Sequence, residues 1–293
     1  MFRHREKEDP KSSADQKAVS PPHSTAFFRN VVIIIATLVG IYGLAYIVVL
    51  EDQYSTLVLS DLSINAAAAA ALFFALLILY RQKLGGLHGR TYAAFAIGLS
   101  LWLTAEVVQT YYEIGSEEEV PFPSIADALW LVGYIPFGYH LFVTYRFFEK
   151  SARPHTLFVV LATTAAIFGS LVPVTILGSS LLADDIPALF VNVAYPTLDA
   201  VLMVPAIMMF SILRKGKLGS IPWVLLAASI LIIAAADSVF GYISATSPDS
   251  EIWGFSILYL SGYLLMAGAL YCHNRLFIFN RARAVKIWQE QNK

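Results

Sequence analysis

The chain of 293 residues is 57% hydrophobic and 14% charged, carries a net charge of −1 and has a mean hydropathy of +0.64. Its apolar residues fall in long blocks and not in an alternating pattern, which is the composition of an all-α polytopic membrane protein. The one cysteine, Cys272, excludes an internal disulfide framework and a Cys-rich metal site.

Residues 1–27 place Pro10, Ser12, Ser13, Pro21 and Pro22 among mixed charges without an apolar period, and read as a disordered cytoplasmic tail. The first apolar block starts late, is long for a signal peptide and has no small-residue cleavage pattern after it. A membrane-crossing helix takes roughly 20 predominantly apolar residues. Eight segments of residues 28–275 qualify, at about 29–50, 58–80, 91–112, 124–145, 156–178, 187–211, 221–244 and 252–274.

All twenty Lys and Arg lie in five places: the N-terminal tail to Arg29, the Arg81/Lys83/Arg90 loop, the Arg146/Lys150/Arg153 loop, the Arg214/Lys215/Lys217 loop, and the chain after Tyr271. The alternate loops hold Glu51 and Asp52, Glu117 to Glu119, Asp184 and Asp185, and Asp249 and Glu251, without a cation among them. The positive-inside rule then puts both termini in the cytoplasm and the acidic loops outside, in a multi-pass protein of the plasma membrane.

In chain order, the second span runs from Asp61 through Asn65 into six alanines, Ala66 to Ala71, which permit close helix approach. The third carries Glu106 among apolar residues, and an acid inside a span is by default a hypothesis about function. The fourth opens on Ser124-Ile-Ala-Asp127, the form of a capping box, so Asp127 is a helix cap as well as a candidate ligand contact. Pro136, Pro173, Pro196 and Pro205 lie within spans, and the sixth span, with two of them, is the expected bent element. Residues 276–293 place Ile278, Ala282, Val285 and Trp288 in a narrow apolar stripe beside Arg281, Arg283 and Lys286, a cytoplasmic amphipathic tail too short for an output domain.

The chain also repeats itself. Leu79 to Gly85 matches Leu213 to Gly219, and the same offset of 134 carries Asn65 onto Asp199. After a small gap Glu106 aligns with Asp237, and Trp130, Gly133 and Tyr134 align with Tyr259, Gly262 and Tyr263. Two four-helix halves follow, sharing one orientation about an axis along the membrane normal. Counted from the inner ends of their spans, Asn65, Glu106, Asp199 and Asp237 all lie about 24 Å up a core roughly 30 Å thick. They form one layer in its outer third, with Asp127 at the outer surface.

Two uses of that layer stand open: carboxyls that tie helices together by hydrogen bonds, or a hydrated site for a ligand. Trp130, Tyr195 and Tyr263 are the aromatic candidates for its walls, although most aromatics at this depth also suit an interfacial belt. Acids beside aromatics suit an organic cation, a hard metal ion or protons. No lysine lies within a span, which excludes a retinal Schiff base, and there is no HExxH, GxSxG or P-loop. His140 alone among the histidines lies well inside a span, too little for a bis-His haem or a zinc cage, so neither a cofactor nor a metal is expected. Asp199 and Asp237 on adjacent spans are the basis for an intramembrane hydrolase, but Asp237 follows Ala234, Ala235 and Ala236 instead of a GxGD motif.

The string Pro123-Ser124-Ile-Ala126-Asp127, with Leu131, Gly133-Tyr134 and Pro136 after it, resembles a segment of multi-span membrane input modules of prokaryotic signalling proteins, found ahead of diguanylate cyclase or histidine kinase outputs. Tyr195-Pro196-Thr197-Leu198-Asp199 resembles a second signature of those modules and Gly262-Tyr263 a third, so that the resemblance covers roughly residues 58–270. It implies that Asp127 and Asp199 are recurrent acids of a module that senses something from the outer side. No kinase or cyclase follows here, so signalling would run through a separate protein.

The expectation is therefore a non-enzymatic sensor with an outward-facing acidic and aromatic site formed by Asn65, Glu106, Asp127, Trp130, Tyr195, Asp199, Asp237 and Tyr263. The alternative is a secondary transporter or a proton or ion pathway using the same acids. Expected partners are the lipid bilayer, a signalling protein and a second copy of the chain, with no nucleic acid.

Overall fold

The structure, a computed structural model, describes residues 23–84, 86–116, 121–148, 186–213, 220–246 and 255–279, with a few positions between 158 and 169. Among the described residues the chain is helical and has no strand: α1 (His23–Val49), α2 (Gln53–Gln82), α3 (Gly86–Thr110), α4 (Ile125–Phe148), α5 (Ile186–Leu213), α6 (Ile221–Thr246) and α7 (Ser256–His273). A π-helical turn extends α3 over Tyr111–Gly115, and another extends α7 over Asn274–Phe279.

Six of these helices are long and apolar enough to cross a membrane, all but α4. In α4, Tyr134, Tyr139, His140 and Tyr145 dilute the apolar character of a 24-residue helix, and the inward Tyr134 and His140 are 3% and 0% exposed. The span expected at 156–178, the acidic loops at 117–119, 184–185 and 249–251 and the tail beyond Phe279 lie outside the described residues. Three helix starts precede expectation by five residues or more. The first helix begins at His23, inside the stretch assigned to the tail, α2 begins at Gln53, more than a turn before residue 58, and α3 begins at Gly86, as far before residue 91. The second difference has a local cause: Asp52 ends a short turn, receives the Ser55 hydroxyl on its carboxylate, and accepts the Thr56 N–H on its carbonyl at 3.0 Å. Those bonds start the helix before the apolar run does.

Packing runs around a closed ring, α2 on α3, α3 on α4, α4 on α5, α5 on α6, α6 on α7, and α7 back on α2, with α1 outside against α7 and α2. The alanine run is what lets α2 close the ring. Ala68, Ala71 and Ala75 are fully buried toward α3 and α7, while Ala66 and Ala69 face outward. Outward faces carry Ile33, Ile41, Val48, Phe73, Ile135 and Phe190, each more than half exposed. A belt of exposed apolar side chains around a helical ring is the arrangement lipid requires, since helices pair most of their backbone groups internally.

Glycine sets the separation at two seams. A Cβ on Gly133 of α4 would lie 2.4 Å from Trp102 Cδ1 and 3.5 Å from the Gly98 carbonyl of α3. A Cβ on Gly262 of α7 would lie 2.5 Å from Ile233 Cγ1 and 3.6 Å from the Ser229 carbonyl of α6. Without side chains there, α3 with α4 and α6 with α7 come close enough for their polar residues to meet.

Candidate functional site

Three of the predicted acids meet on the ring's inner faces: Glu106 from α3, Asp199 from α5 and Asp237 from α6. Their donors come from α4 and α7. On α4, Trp130 and Tyr134 are four residues apart and share a face, as do Tyr259 and Tyr263 on α7. The Trp130 indole N–H donates to Glu106 Oε1 at 3.4 Å, and the Tyr263 hydroxyl donates to the same oxygen at 2.8 Å. On the other side, Tyr259 donates to Asp237 Oδ1 at 2.5 Å, and the Tyr134 hydroxyl lies 2.7 Å from Asp199 Oδ1 and 3.2 Å from Asp237 Oδ2.

The pattern is reciprocal. Glu106 receives one donor from the next helix, α4, and one from α7 across the ring; Asp237 receives one from the next helix, α7, and one from α4 across the ring. Trp102 braces this arrangement, its indole N–H donating to the Trp130 carbonyl at 3.0 Å and its ring meeting Tyr134 edge-on at 5.5 Å. Hydrogen bonds to an ionised carboxylate are the strong kind, and a buried setting strengthens them further.

Asp127 takes part as a cap. Its Oδ2 accepts the Ser124 N–H at 2.7 Å and the Ser124 hydroxyl at 3.0 Å, while Ser124 Oγ accepts the Ala126 N–H at 3.1 Å. Its other oxygen receives the Tyr195 hydroxyl at 3.0 Å, which ties the start of α4 to α5. Asn65 lies apart from the three acids. Its amide donates to the Asp61 carbonyl at 2.9 Å and to Thr110 Oγ1 at 2.8 Å. It belongs to a second polar group between α2 and the end of α3, where Asp61 and Glu113 are electrostatic neighbours and Gln109 donates to Glu113. The expected single layer is thus two neighbouring groups, and Tyr134, Tyr259, Asp61 and Glu113 join the candidates.

A further polar cluster sits at the opposite end of the ring. His88 and Tyr92 of α3, His140 of α4, Trp223 of α6 and His273 of α7 pack with ring centroids between 4.8 and 6.5 Å apart. His140 Nδ1 lies 3.0 Å from the Thr91 carbonyl, which can only accept, so the proton is on Nδ1 and Nε2 is a bare acceptor. Tyr92 and His273 Nδ1 are 3.1 Å apart. Between the two ends the buried side chains are mostly apolar, Phe95 and Leu99 of α3, Phe137 of α4, Ile230 of α6 and Met266 of α7, with the hydroxyl of Ser229 of α6 among them.

Among the described residues no group of three or more His, Cys, Asp or Glu has a metal-holding arrangement. What the carboxylate network can do chemically is hold cationic charge, a proton above all, in contact with acceptor oxygens. Comparison with family models, with curated proteins and with solved structures finds no match.

Proposed function

We propose that the protein is a non-enzymatic membrane sensor whose outer carboxylate network binds a small ligand or cation and whose state is passed to a separate partner at the cytoplasmic side. The observation that carries this reading is the reciprocal network itself: Glu106 and Asp237 each draw one donor from the adjacent helix and one from across the ring. A change at any of the acids therefore alters contacts among α3, α4, α5, α6 and α7 together.

Eight spans in two fourfold halves, with both termini cytoplasmic, belong to the same reading. Its support is that α2, α3 and α4 occupy one side of the ring and α5, α6 and α7 the other, with Gly133 and Gly262 seated against Gly98 and Ser229 at equivalent places. Pro196 and Pro205 lie on either side of Asp199 in α5, and each removes a backbone hydrogen bond that would resist bending. The apolar stretch from Phe95 to Met266 favours sensing over the transporter alternative, because it separates the acids from the His140 end.

Thermal unfolding of the purified protein across amines and divalent ions tests the site. Stabilisation of the wild type that is lost in Asp199→Ala/Asp237→Ala supports it. Identical responses of both proteins to every compound would sink it.

A further inference from the structure

Deepening this reading of the site, and resting on it, we infer that Asp199 and Asp237 hold one exchangeable proton between them and that this proton is the cation the site binds and releases. The two carboxyl groups share one hydroxyl, that of Tyr134, which lies 2.7 Å from Asp199 Oδ1 and 3.2 Å from Asp237 Oδ2. Ionised carboxylates only accept, so two of them in contact leave an acceptor facing an acceptor.

The four oxygens of the pair locate the proton. Asp199 Oδ1 and Asp237 Oδ2 share the Tyr134 hydroxyl, and Asp237 Oδ1 has Tyr259. Asp199 Oδ2 is buried without a donor, on a residue 4% exposed. A proton on Asp199 Oδ2 converts that orphaned acceptor into a donor beside a neighbouring carboxylate and removes one of two adjacent charges from an apolar ring. Tyr134 leads to the same result, since its hydroxyl has one hydrogen and two acidic neighbours.

Among the described residues, the remaining titratable neighbours supply no compensating charge. They are Glu106 of α3, Tyr134 and Asp127 of α4, Tyr195 of α5 and Tyr259 and Tyr263 of α7, with Asp61 of α2 beyond Glu106. From residue 91 to 145, 186 to 213 and 221 to 271 the sequence has no Lys or Arg. A proton also suits the geometry better than a metal ion, which would have to displace the phenol donors already on these oxygens.

Release is a simple acid dissociation. The Asp199 O–H bond breaks, the proton passes to water, and the electron pair stays on Oδ2. Two facing carboxylates then repel, and the contact between α5 and α6 loosens beside the Pro196 and Pro205 positions.

Infrared difference spectra of the full chain in lipid nanodiscs, recorded across pH, test this. The expected result is a protonated-carboxyl C=O band that is lost as pH rises, is missing in Asp199→Asn, is shifted or missing in Asp237→Asn, and persists in Glu106→Gln. The asparagine at 199 keeps an N–H donor where the acid O–H was, so the fold is retained; if it is not, Asp237→Asn gives the same decision. No titrating acid band in the wild type, or an unchanged band in Asp199→Asn and Asp237→Asn, overturns the inference. Persistence of the band with no stabilisation by any amine or divalent ion separates the proton from the broader ligand reading.

Discussion

At the residue scale, tyrosine hydroxyls carry more of the network than acids alone suggest. Tyr134 is 3% exposed and serves two carboxyl groups, whereas Tyr195 serves Asp127, which keeps two further bonds from Ser124. Tyr134→Phe should therefore destabilise by about 2–3 kcal/mol and Tyr195→Phe by about 1 kcal/mol, because hydrogen bonds to charged groups are worth about 1.5–3 kcal/mol and a retained partner limits the loss. Chemical or thermal unfolding in detergent measures both, and equal effects would contradict this ordering. The acids were legible in the sequence because a charge inside an apolar run is conspicuous and the repeat paired Glu106 with Asp237. Tyr134 and Tyr259 were visible only as members of a common aromatic class. His88 and His273 gave no signal, since each lies near the end of its span and only the folded ring brings them to His140.

At the element scale, the separation of neighbouring helices decides whether any of these bonds form. Gly133 and Gly262 sit where an added methyl would meet Trp102 and Ile233 at 2.4 and 2.5 Å. Overfilling a packed seam costs about 1–3 kcal/mol. Gly133→Ala should show the larger loss in this range, because Trp102 is itself fixed by its bond to the Trp130 carbonyl at 3.0 Å, while the Ile233 side chain can rotate. Thermal unfolding of Gly133→Ala and Gly262→Ala checks the order, and a neutral Gly133→Ala would show that the seam has slack. The glycines appeared in the repeat as aligned letters, yet a period in sequence does not reveal what a Cβ would touch. The capping box at Ser124 was legible in full because its two partners, Ser124 and Asp127, are three residues apart and need no tertiary fold.

At the scale of the whole molecule, six of the eight expected spans were legible, because lipid imposes length and polarity on each helix separately. The order of helices around the ring was not, since apolar faces of similar character can neighbour one another in many ways. Division of the layer into an Asp199/Asp237/Glu106 group and an Asp61/Asn65/Glu113 group likewise depends on which helices touch. Sidedness is a separate matter, set by cations outside the ring, and it determines which solution the acids meet. Tyr54, near the start of α2, and Leu84, just past its end, are 60% and 64% exposed at opposite ends of one helix. The native Cys272 is fully buried and should stay silent toward thiol reagents. In intact cells a membrane-impermeant maleimide should then label Tyr54→Cys and leave Leu84→Cys unlabelled until the membrane is permeabilised. The opposite pattern would place the carboxylate network toward the cytoplasm, and the sensor would then read the internal and not the external medium.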